Sequence, residues 1–206
     1  MRRSYDMRQR NQTAADTRAG IIAAAHRLLG QRDGTLALQE VAAAAGVSRA
    51  TVYKSVGSRV ALLAAVFEDQ GRLVGYDRVL AALQLPDAAR AAIAAVKESC
   101  RAWAVMPDAI RKTLALAVVD VEAGPLVERY ERYRRAELAK LARRAHRAGV
   151  LGPGVSAKDA AARLALLTGF PAFDQLRLDH DAPQATRQLV RMARASLGLS
   201  GKEDRT

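Results

Sequence analysis

Apolar residues recur along this chain at the three- and four-residue spacing of amphipathic α-helices, and the strict alternation typical of β-strands is scarce. Alanine, the strongest helix former, is abundant throughout. Apolar stripes predict helices over residues 13–31, 58–83, 86–105, 108–122, 126–148, 156–176 and 181–197. Together with two short helices between residues 38 and 55, the pattern predicts an all-α protein of about nine helices.

The segment between residues 38 and 63 combines two short helices with a tight turn. The first helix carries small apolar residues on one face, namely Val41, Ala42 and Ala45. Gly46 ends it, because glycine adopts the left-handed conformation without a steric penalty, and Ser48 is a good N-cap for the next helix. That helix is short, polar and basic, and Gly57 ends it. The arrangement is typical of a helix-turn-helix, although an ordinary helical hairpin with a solvated basic face fits a generic match.

The match is longer than the generic pattern, and the segment resembles the tetracycline-repressor (TetR) family of bacterial regulators over residues 17–67. The resemblance is carried by Val41-Ala42, Ala45-Gly46-Val47-Ser48, Thr51-Val52-Tyr53, Gly57-Ser58-Arg59 and Leu62-Leu63, with Ile22, Ala25, Leu28, Leu29 and Gly34 upstream. It implies a helix-turn-helix DNA-binding domain over residues 1–57. A helical regulatory and dimerisation domain would follow over residues 58–206, with the helix from Ser58 as the connector.

The second helix of the motif is expected to enter the major groove of a palindromic DNA operator. The residues expected at the DNA are Ser48, Arg49, Ala50, Thr51, Tyr53 and Lys54, with Arg59 on a phosphate at the start of the next helix. Four positions depart from the family pattern. Val56 stands where an aromatic is common, Val60 replaces a usual Glu, Ala37 replaces a capping Thr, and Arg59 replaces Lys but keeps its charge.

The charge distribution agrees with a nucleic-acid partner. The net charge is +12, and residues 1–60 hold ten basic and four acidic residues. Residues 1–12 are polar and basic, which predicts a mobile arm, either a plain disordered tail or one that follows DNA phosphates. Residues 128–147 hold eight basic and three acidic residues, a pattern that fits a solvated helix face or a second nucleic-acid patch.

The resemblance implies a small-molecule effector, and the apolar pattern suggests where it binds. The helix over residues 108–122 is apolar nearly all round, which predicts a central, buried position. A hydrophobic pocket is predicted to be lined by Val96, Cys100, Trp103, Met106, Thr113, Leu114, Ala117, Val118, Phe170 and Phe173. Asp120, if it points inward, would disfavour a negatively charged ligand. The alternative is a solid core in which Trp103 is the largest filler.

The last two long helices carry more apolar surface than a helical pair needs for itself. We therefore predict a homodimer through Leu164, Leu167, Phe170, Phe173, Leu189 and Leu197. The alternative is that these residues only complete the core of one chain. A dimer would present two recognition helices about 34 Å apart, one turn of DNA.

Residues that would indicate an enzyme or a metal site do not form a recognisable set. His26, His146 and His180 lie far apart, and Asp179-His180-Asp181 fits a polar loop better than a metal cluster. Cys100 is the only cysteine, which fits a reducing cytoplasm, and no apolar run reaches the length of a membrane span. We predict no catalytic site, metal or cofactor. The sequence favours a cytoplasmic DNA-binding repressor released by a small hydrophobic effector; the alternative is a helical scaffold or protein-interaction module without DNA binding.

Overall fold

The computed structural model describes the backbone of residues 2–31 and 36–199 and the side chains of residues 12–31 and 36–199. The described residues form eleven α-helices and no strand, so the predicted all-α class is confirmed. In chain order the helices are α1 (Arg2–Gln31), α2 (Leu38–Ala45), α3 (Arg49–Val56), α4 (Arg59–Leu73), α5 (Tyr76–Leu83), α6 (Ala88–Val105), α7 (Pro107–Val119), α8 (Ala123–Arg147), α9 (Ala157–Leu167), α10 (Phe170–Leu176) and α11 (Ala182–Leu197).

The two extra helices arise where the structure divides two of the predicted helices. The predicted helix over residues 58–83 divides into α4 and α5 at Gly75, whose φ is 67°. The Arg101 guanidinium fixes this break, because it donates to the carbonyl oxygens of Val74 and Gly75 over 3.1 Å each. The predicted helix over residues 156–176 divides into α9 and α10 at Gly169, where the sequence already predicts an interruption by Gly169 and Pro171.

The N-terminal boundary also differs from the prediction. The backbone of α1 is helical from Arg2, where the sequence predicts a mobile arm. Gly34, the predicted exit from the first helix, lies outside the described residues. The sequence predicts that α2 lacks a side-chain cap, and the structure agrees. Ala37 occupies the N-cap position with φ −89° and ψ 134°, and no side-chain hydrogen bond caps the helix.

Contacts divide the chain into two compact units, which differ from the predicted division at residue 57. The first unit comprises Met1–Gln70 and Arg111–Val127, and the second comprises Gly71–Ile110 and Glu128–Thr206. The difference arises because the first part of α4, the end of α7 and the start of α8 share one core with α1 to α3. A functional division at residue 57 stays a prediction.

The core of the first unit holds the two helices of the predicted helix-turn-helix against α1 and α4. Its fully buried side chains include Ile21 from α1, Val41 from α2, Val52 from α3, and Leu62, Leu63 and Val66 from α4. Leu116 of α7 and Ala123 of α8 belong to the same core. The corner between α7 and α8 is therefore part of the unit that contains the helix-turn-helix.

An ion pair between α4 and the α7–α8 corner lies beside that core. The Arg59 guanidinium bonds both Asp120 and Glu122, and its Nε donates to the Leu36 carbonyl oxygen over 2.7 Å. The Asp120 side chain is only 3% exposed and that of Arg59 22%. Asp120 also accepts from the backbone N–H groups of Glu122 and Ala123 over 3.0 Å each. One carboxylate thus fixes the turn into α8 and the start of α4.

Helix α7 does not occupy the central, buried position that its composition predicts. Only Thr113 and Leu116 are buried along it. In the single chain Val118 is 85% exposed, Val119 69% and Val121, just beyond the helix, 90%. The expectation was wrong because α7 packs along a narrow face, where the Thr113 hydroxyl donates to buried Gln70 over 3.1 Å.

The second unit is built around α6, which packs against α5, α10 and α11. Asp87 caps α6 by accepting from the Arg90 backbone N–H over 2.9 Å. Buried apolar residues cover most of the length of α6, including Ala91, Val96 and Ala102. Asp181 and Gln184 form a complete capping box at the start of α11, which confirms the predicted last helix.

We expect Asp120→Asn to destabilise the protein by about 2 kcal/mol at neutral pH, because it removes the charge that pairs with a largely buried guanidinium. The bond from Arg59 is the main reason that the pKa of Asp120 lies below its ordinary value; burial opposes this, and backbone donors add to it. A carboxylate with a lowered folded-state pKa stabilises the fold above its ordinary value of about 3.9 and loses that contribution as the pH falls through the lowered value.

Urea unfolding as a function of pH measures this effect. The stability difference between the natural chain and Asp120→Asn should be largest near neutral pH and shrink below about pH 4. Glu122→Gln is the matched control, and it should cost less because the Glu122 side chain is 37% exposed. An equal loss in the two variants, or a difference that persists in acid, would contradict the assignment.

Candidate functional site

Helix α3 presents most of the residues predicted to contact DNA on its solvent face. Arg49, Ala50, Tyr53 and Lys54 are exposed and Thr51 is half-buried, whereas Val52 and Val56 are buried in the core. Val56 stands at the position where an aromatic residue is common in the family that the sequence resembles; it lies in the core and is 7% exposed. The helix therefore has one face that anchors it and another that is polar, basic and accessible.

The turn before α3 is built as the sequence predicts. Gly46 has a φ of 67°, and its N–H bonds the carbonyl oxygens of Ala42 and Ala43. The exposed Ser48 is the N-cap of α3, and its hydroxyl oxygen accepts from the Thr51 backbone N–H over 3.1 Å. Its oxygen also lies 2.9 Å from the Thr51 hydroxyl. Two candidate DNA-contacting hydroxyls are thus held together at the N-terminal end of the helix.

Arg49 and Tyr53 form a pair on the exposed face of α3. The Arg49 guanidinium carbon lies 5.5 Å from the centre of the Tyr53 ring, and an Arg49 nitrogen donates to the Tyr53 hydroxyl over 3.4 Å. Tyr53 is 42% exposed despite its large ring. The pairing limits the orientations of Arg49 before any ligand binds, which lowers the entropy lost on binding.

Arginines of α1 brace the motif from behind. Arg18 donates to the Ser55 carbonyl oxygen at the end of α3 over 3.2 Å. Arg27 donates to the Ala44 carbonyl oxygen at the end of α2, also over 3.2 Å. These bonds satisfy helix C-terminal carbonyls and use cations that a charge count alone would assign to DNA.

The predicted role of Arg59 as a DNA contact needs correction. The sequence places it on a DNA phosphate, but its guanidinium bonds Asp120 and Glu122 within the first unit. Both partners are more than sixty residues away along the chain, so no local spacing could reveal them. We therefore remove Arg59 from the group of cations that are free to bind DNA.

The residues predicted to line a ligand pocket divide between the two units. Val96, Cys100, Trp103, Met106, Phe170 and Phe173 belong to the second unit, whereas Thr113, Leu114, Ala117 and Val118 belong to the first. Val118 is almost fully exposed in the single chain, and Asp120, the predicted inward carboxylate, is held by Arg59. The six residues of the second unit are therefore the part of the predicted lining that belongs to a single compact unit with Trp103.

Trp103 is the centre of that remaining group. Its side chain is nearly buried, and its indole N–H donates to the Thr168 carbonyl oxygen over 3.0 Å. The Phe170 ring meets it edge-on, with 5.8 Å between ring centres. Cys100, one helical turn away, is buried, and burial raises the pKa of its thiol to about 11. A protonated, buried thiol fits a lining or core residue better than a redox sensor.

Three polar residues near this group carry no motif that sequence reasoning could detect. Tyr76 and Tyr130 stack with 5.2 Å between ring centres and a tilt of 55°. Burial raises the pKa of both phenols, so both remain protonated at neutral pH. Arg134 is buried and donates to the Thr168 hydroxyl over 2.7 Å and to the Ala165 carbonyl oxygen over 3.1 Å. The α9–α10 break is therefore held by Trp103 and Arg134 together.

A surface concavity of about 380 Å³ in the second unit is lined by His146, Gly149, Leu151, Gly152, Gly154, Val155 and Ser156. Among the residues the structure describes, no group of three or more His, Cys, Asp or Glu side chains is placed to hold a metal ion. Over the same residues no single helix has the length and apolarity to span a membrane. The bent pair α3 and α4 has that length and composition only when the two helices are taken together.

Comparison with known proteins identifies the motif and the fold. The sequence profile of "Bacterial regulatory proteins, tetR family" matches residues 21–66. No curated protein is a significant match. Among solved structures, the chain is similar to NalD of Pseudomonas aeruginosa, described as the secondary repressor of the MexAB-OprM multidrug efflux pump. The two share 20% identity and a TM-score of 0.69 over 94% of this chain and 100% of that one.

Two further solved structures have the same fold. The fatty acid degradation regulator FadR from Bacillus halodurans is 17% identical, with a TM-score of 0.69 over 89% of this chain and 97% of its own. A regulatory protein of the tetR family from Rhodococcus RHA1 is 19% identical, with a TM-score of 0.63 over 90% and 98%. The family profile thus falls on the helix-turn-helix, and nearly the whole chain shares the fold of these regulators, which supports a role as a DNA-binding transcriptional regulator.

Proposed function

We propose that this protein is a transcriptional regulator of the tetR family, a repressor that binds a palindromic operator as a homodimer and leaves it when a small hydrophobic effector binds the second unit. The observation that carries the DNA-binding part is the accessible polar and basic face of α3, anchored from behind by Val52 and Val56. We place the protein in the cytoplasm, where its DNA partner is found. No metal or cofactor enters this proposal.

The exposed residues of α3 have separable roles at DNA. Lys54 is a flexible point charge suited to a phosphate, and the small Ala50 lets the backbone approach the groove. Arg49 has the planar geometry to bind guanine, and Tyr53 holds it in place. The Ser48 and Thr51 hydroxyls lie at the N-terminus of α3, where backbone N–H groups also favour phosphate.

The effector site we propose lies in the second unit around Trp103, with the facing Tyr76 and Tyr130 as its polar part. The Tyr76 hydroxyl is buried and, within the described residues, makes no hydrogen bond of ordinary geometry, so a ligand acceptor would be favourable there. Since Asp120 is held by Arg59, it gives no reason to exclude a negatively charged ligand. Trp103 fluorescence during titration with hydrophobic compounds, read beside operator binding, tests this site.

The chain offers a route from this site to the DNA-reading unit. Helices α4, α7 and α8 each begin in one unit and end in the other. The α7–α8 corner holds Arg59, three residues after the end of α3. We propose that an effector releases DNA by favouring a different position of this corner, because a ligand shifts an equilibrium only through its differential affinity for two states.

The dimer requires a corrected interface. The predicted residues Leu164, Leu167, Phe170, Phe173, Leu189 and Leu197 are all at most 8% exposed in one chain, so they form its own core. The same helices expose other apolar residues, with Leu166 at 69% on α9 and Met192 at 50% on α11. We propose that these two side chains lie in the contact with the second copy.

A scaffold or interaction protein without DNA binding is the alternative function. Its support is the absent side-chain cap at Ala37 and the small residue at position 56. Both positions nevertheless keep the helix-turn-helix folded, because Val56 is buried and α2 forms without the cap. The first experiment below separates the two functions.

We expect the double variant Arg49→Ala, Lys54→Ala to lose most of its affinity for duplex DNA, because it removes the two exposed cations of α3. DNA fragments that bind the natural chain are first selected from a random-sequence pool and then titrated by fluorescence anisotropy. Each lost phosphate contact should reduce the slope of log affinity against log salt by about 0.9. Arg49→Ala alone should also relax base preference, by about 1–3 kcal/mol at one position.

The control for this experiment is Arg90→Ala with Lys97→Ala, which removes two exposed cations from α6. It should bind the selected fragments nearly as the natural chain does. Affinity that is unchanged in the α3 variant, or selection that recovers no preferred sequence, would favour the scaffold function.

We expect Leu166→Glu with Met192→Glu to convert the dimer to a monomer, because each change would bury a carboxylate in an apolar contact. Sedimentation at micromolar concentration measures the mass. Val105→Glu is the control, since Val105 is 52% exposed at the end of α6 and lies outside the proposed interface. A natural chain that sediments as a monomer, or a double variant that stays dimeric, would refute this interface.

A further inference from the structure

Helix α8 has a basic face that the proposed function does not use. We call the set Arg129, Arg132, Lys140, Arg143 and Arg147 the α8 stripe; all five are exposed. At 3.6 residues per turn they fall within about 80° of arc, and at 1.5 Å per residue they extend over about 27 Å. No acidic residue of α8 falls within that arc.

Two other arginines of α8 have internal roles, which distinguishes them from the stripe. Arg134 is buried and bonds Glu131 and Thr168. Arg144 donates to the Leu83 carbonyl oxygen over 2.8 Å and to that of Leu85. The inward arginines of α8 thus have partners in the second unit, and the stripe faces outward; Arg135 is also exposed but lies outside the arc of the stripe.

The stripe is only weakly neutralised. Lys140 bonds Glu137 over 2.6 Å, and Arg132 lies 3.6 Å from Glu128 with both side chains at least 70% exposed. A pair of that kind contributes little, so it exchanges readily for an external anion. Within the residues that the structure describes, Arg129, Arg143 and Arg147 have no ion pair or hydrogen bond.

The length and composition of the stripe select the kind of partner. A small anion engages one or two of the five charges, whereas a polymer with regularly spaced charges engages all of them. Arginine suits phosphate, because its planar guanidinium bonds two oxygens at once. An anionic membrane surface is less favoured, since helices that bind membranes carry an apolar face and the arc of the stripe holds only Ala136 besides its charges.

We infer that the α8 stripe is a second, sequence-independent contact surface for the phosphate backbone of duplex DNA. It lies entirely in the second unit and so is separate from α3. It adds electrostatic affinity for any sequence and raises the association rate, and it carries no base preference. The inference goes beyond the proposed repressor function and does not depend on an effector.

The test compares two triple variants with the same loss of charge. One removes the unpaired part of the stripe by Arg129→Gln, Arg143→Gln and Arg147→Gln. The matched control removes three exposed cations from other surfaces by Arg90→Gln, Lys97→Gln and Lys158→Gln. Binding to a non-operator duplex of about three helical turns is measured by anisotropy over a series of salt concentrations. Thermal unfolding confirms that both variants keep the natural fold.

We expect the stripe variant to lower the slope of log affinity against log salt by up to about 2.7, which is about 0.9 for each lost phosphate contact. The control should change it much less. Equal changes in the two variants would overturn the inference, because net charge alone would then explain the binding. The stripe variant should keep its preference for selected fragments over non-operator DNA.

A second background separates this inference from the proposed function. In a chain that also carries Arg49→Ala and Lys54→Ala, the remaining affinity for the duplex should fall further when the stripe is removed. If the α3 changes have no effect but the stripe changes do, the proposed reading of DNA by α3 fails while the stripe inference stands. If the stripe changes abolish binding to vesicles of phosphatidylserine and phosphatidylcholine but not to the duplex, the partner is a membrane and the inference is overturned.

Discussion

The pairing of Arg59 with Asp120 is the interaction on which the arrangement of the first unit depends. Asp120 is buried, and its carboxylate holds the Arg59 guanidinium together with two backbone N–H groups of the α7–α8 corner. A buried carboxylate without a cation would be costly, so the corner and the start of α4 stabilise each other. Because α4 follows α3 after a single turn, the same pair helps to fix α3 against the core.

This constraint changes how the chain divides. A DNA-binding domain that ended at residue 57 would lack Leu116, Ala123 and Asp120, all of which belong to the contacts of the first unit. The core that holds the helix-turn-helix therefore includes residues from much later in the sequence. In the second unit, Arg134 and Trp103 fix the α9–α10 break in a comparable way, through Thr168. Hydrogen bonds from an arginine thus contribute to both units beside their apolar cores.

The sequence predicts those features that depend on local rules. The turn at Gly46, the cap at Ser48, the exposed face of α3 and the start of the last helix at Asp181 all follow from short-range pattern, and the structure has each of them. Features set by distant residues were missed. The sequence places Arg59 on DNA because its carboxylate partners lie far along the chain, and it predicts one helix through Gly75 because Arg101 acts from another helix. Apolar composition also does not distinguish surface from core. Val118 and Val121, which lie in a helix expected to be buried, are exposed, and Leu164 and Leu189, expected at a dimer interface, are buried within one chain.

The salt dependence of DNA binding by Arg59→Gln tests this account most directly, because it decides whether Arg59 is a free phosphate ligand or an internal partner of Asp120. If the pair is internal, Arg59→Gln should lower stability, leave the slope of log affinity against log salt nearly unchanged, and add no further stability loss to Asp120→Asn. A slope that falls by about 0.9 with stability unchanged, together with tighter DNA binding by Asp120→Asn, would show that Arg59 contacts DNA and that the internal pair is not the constraint described.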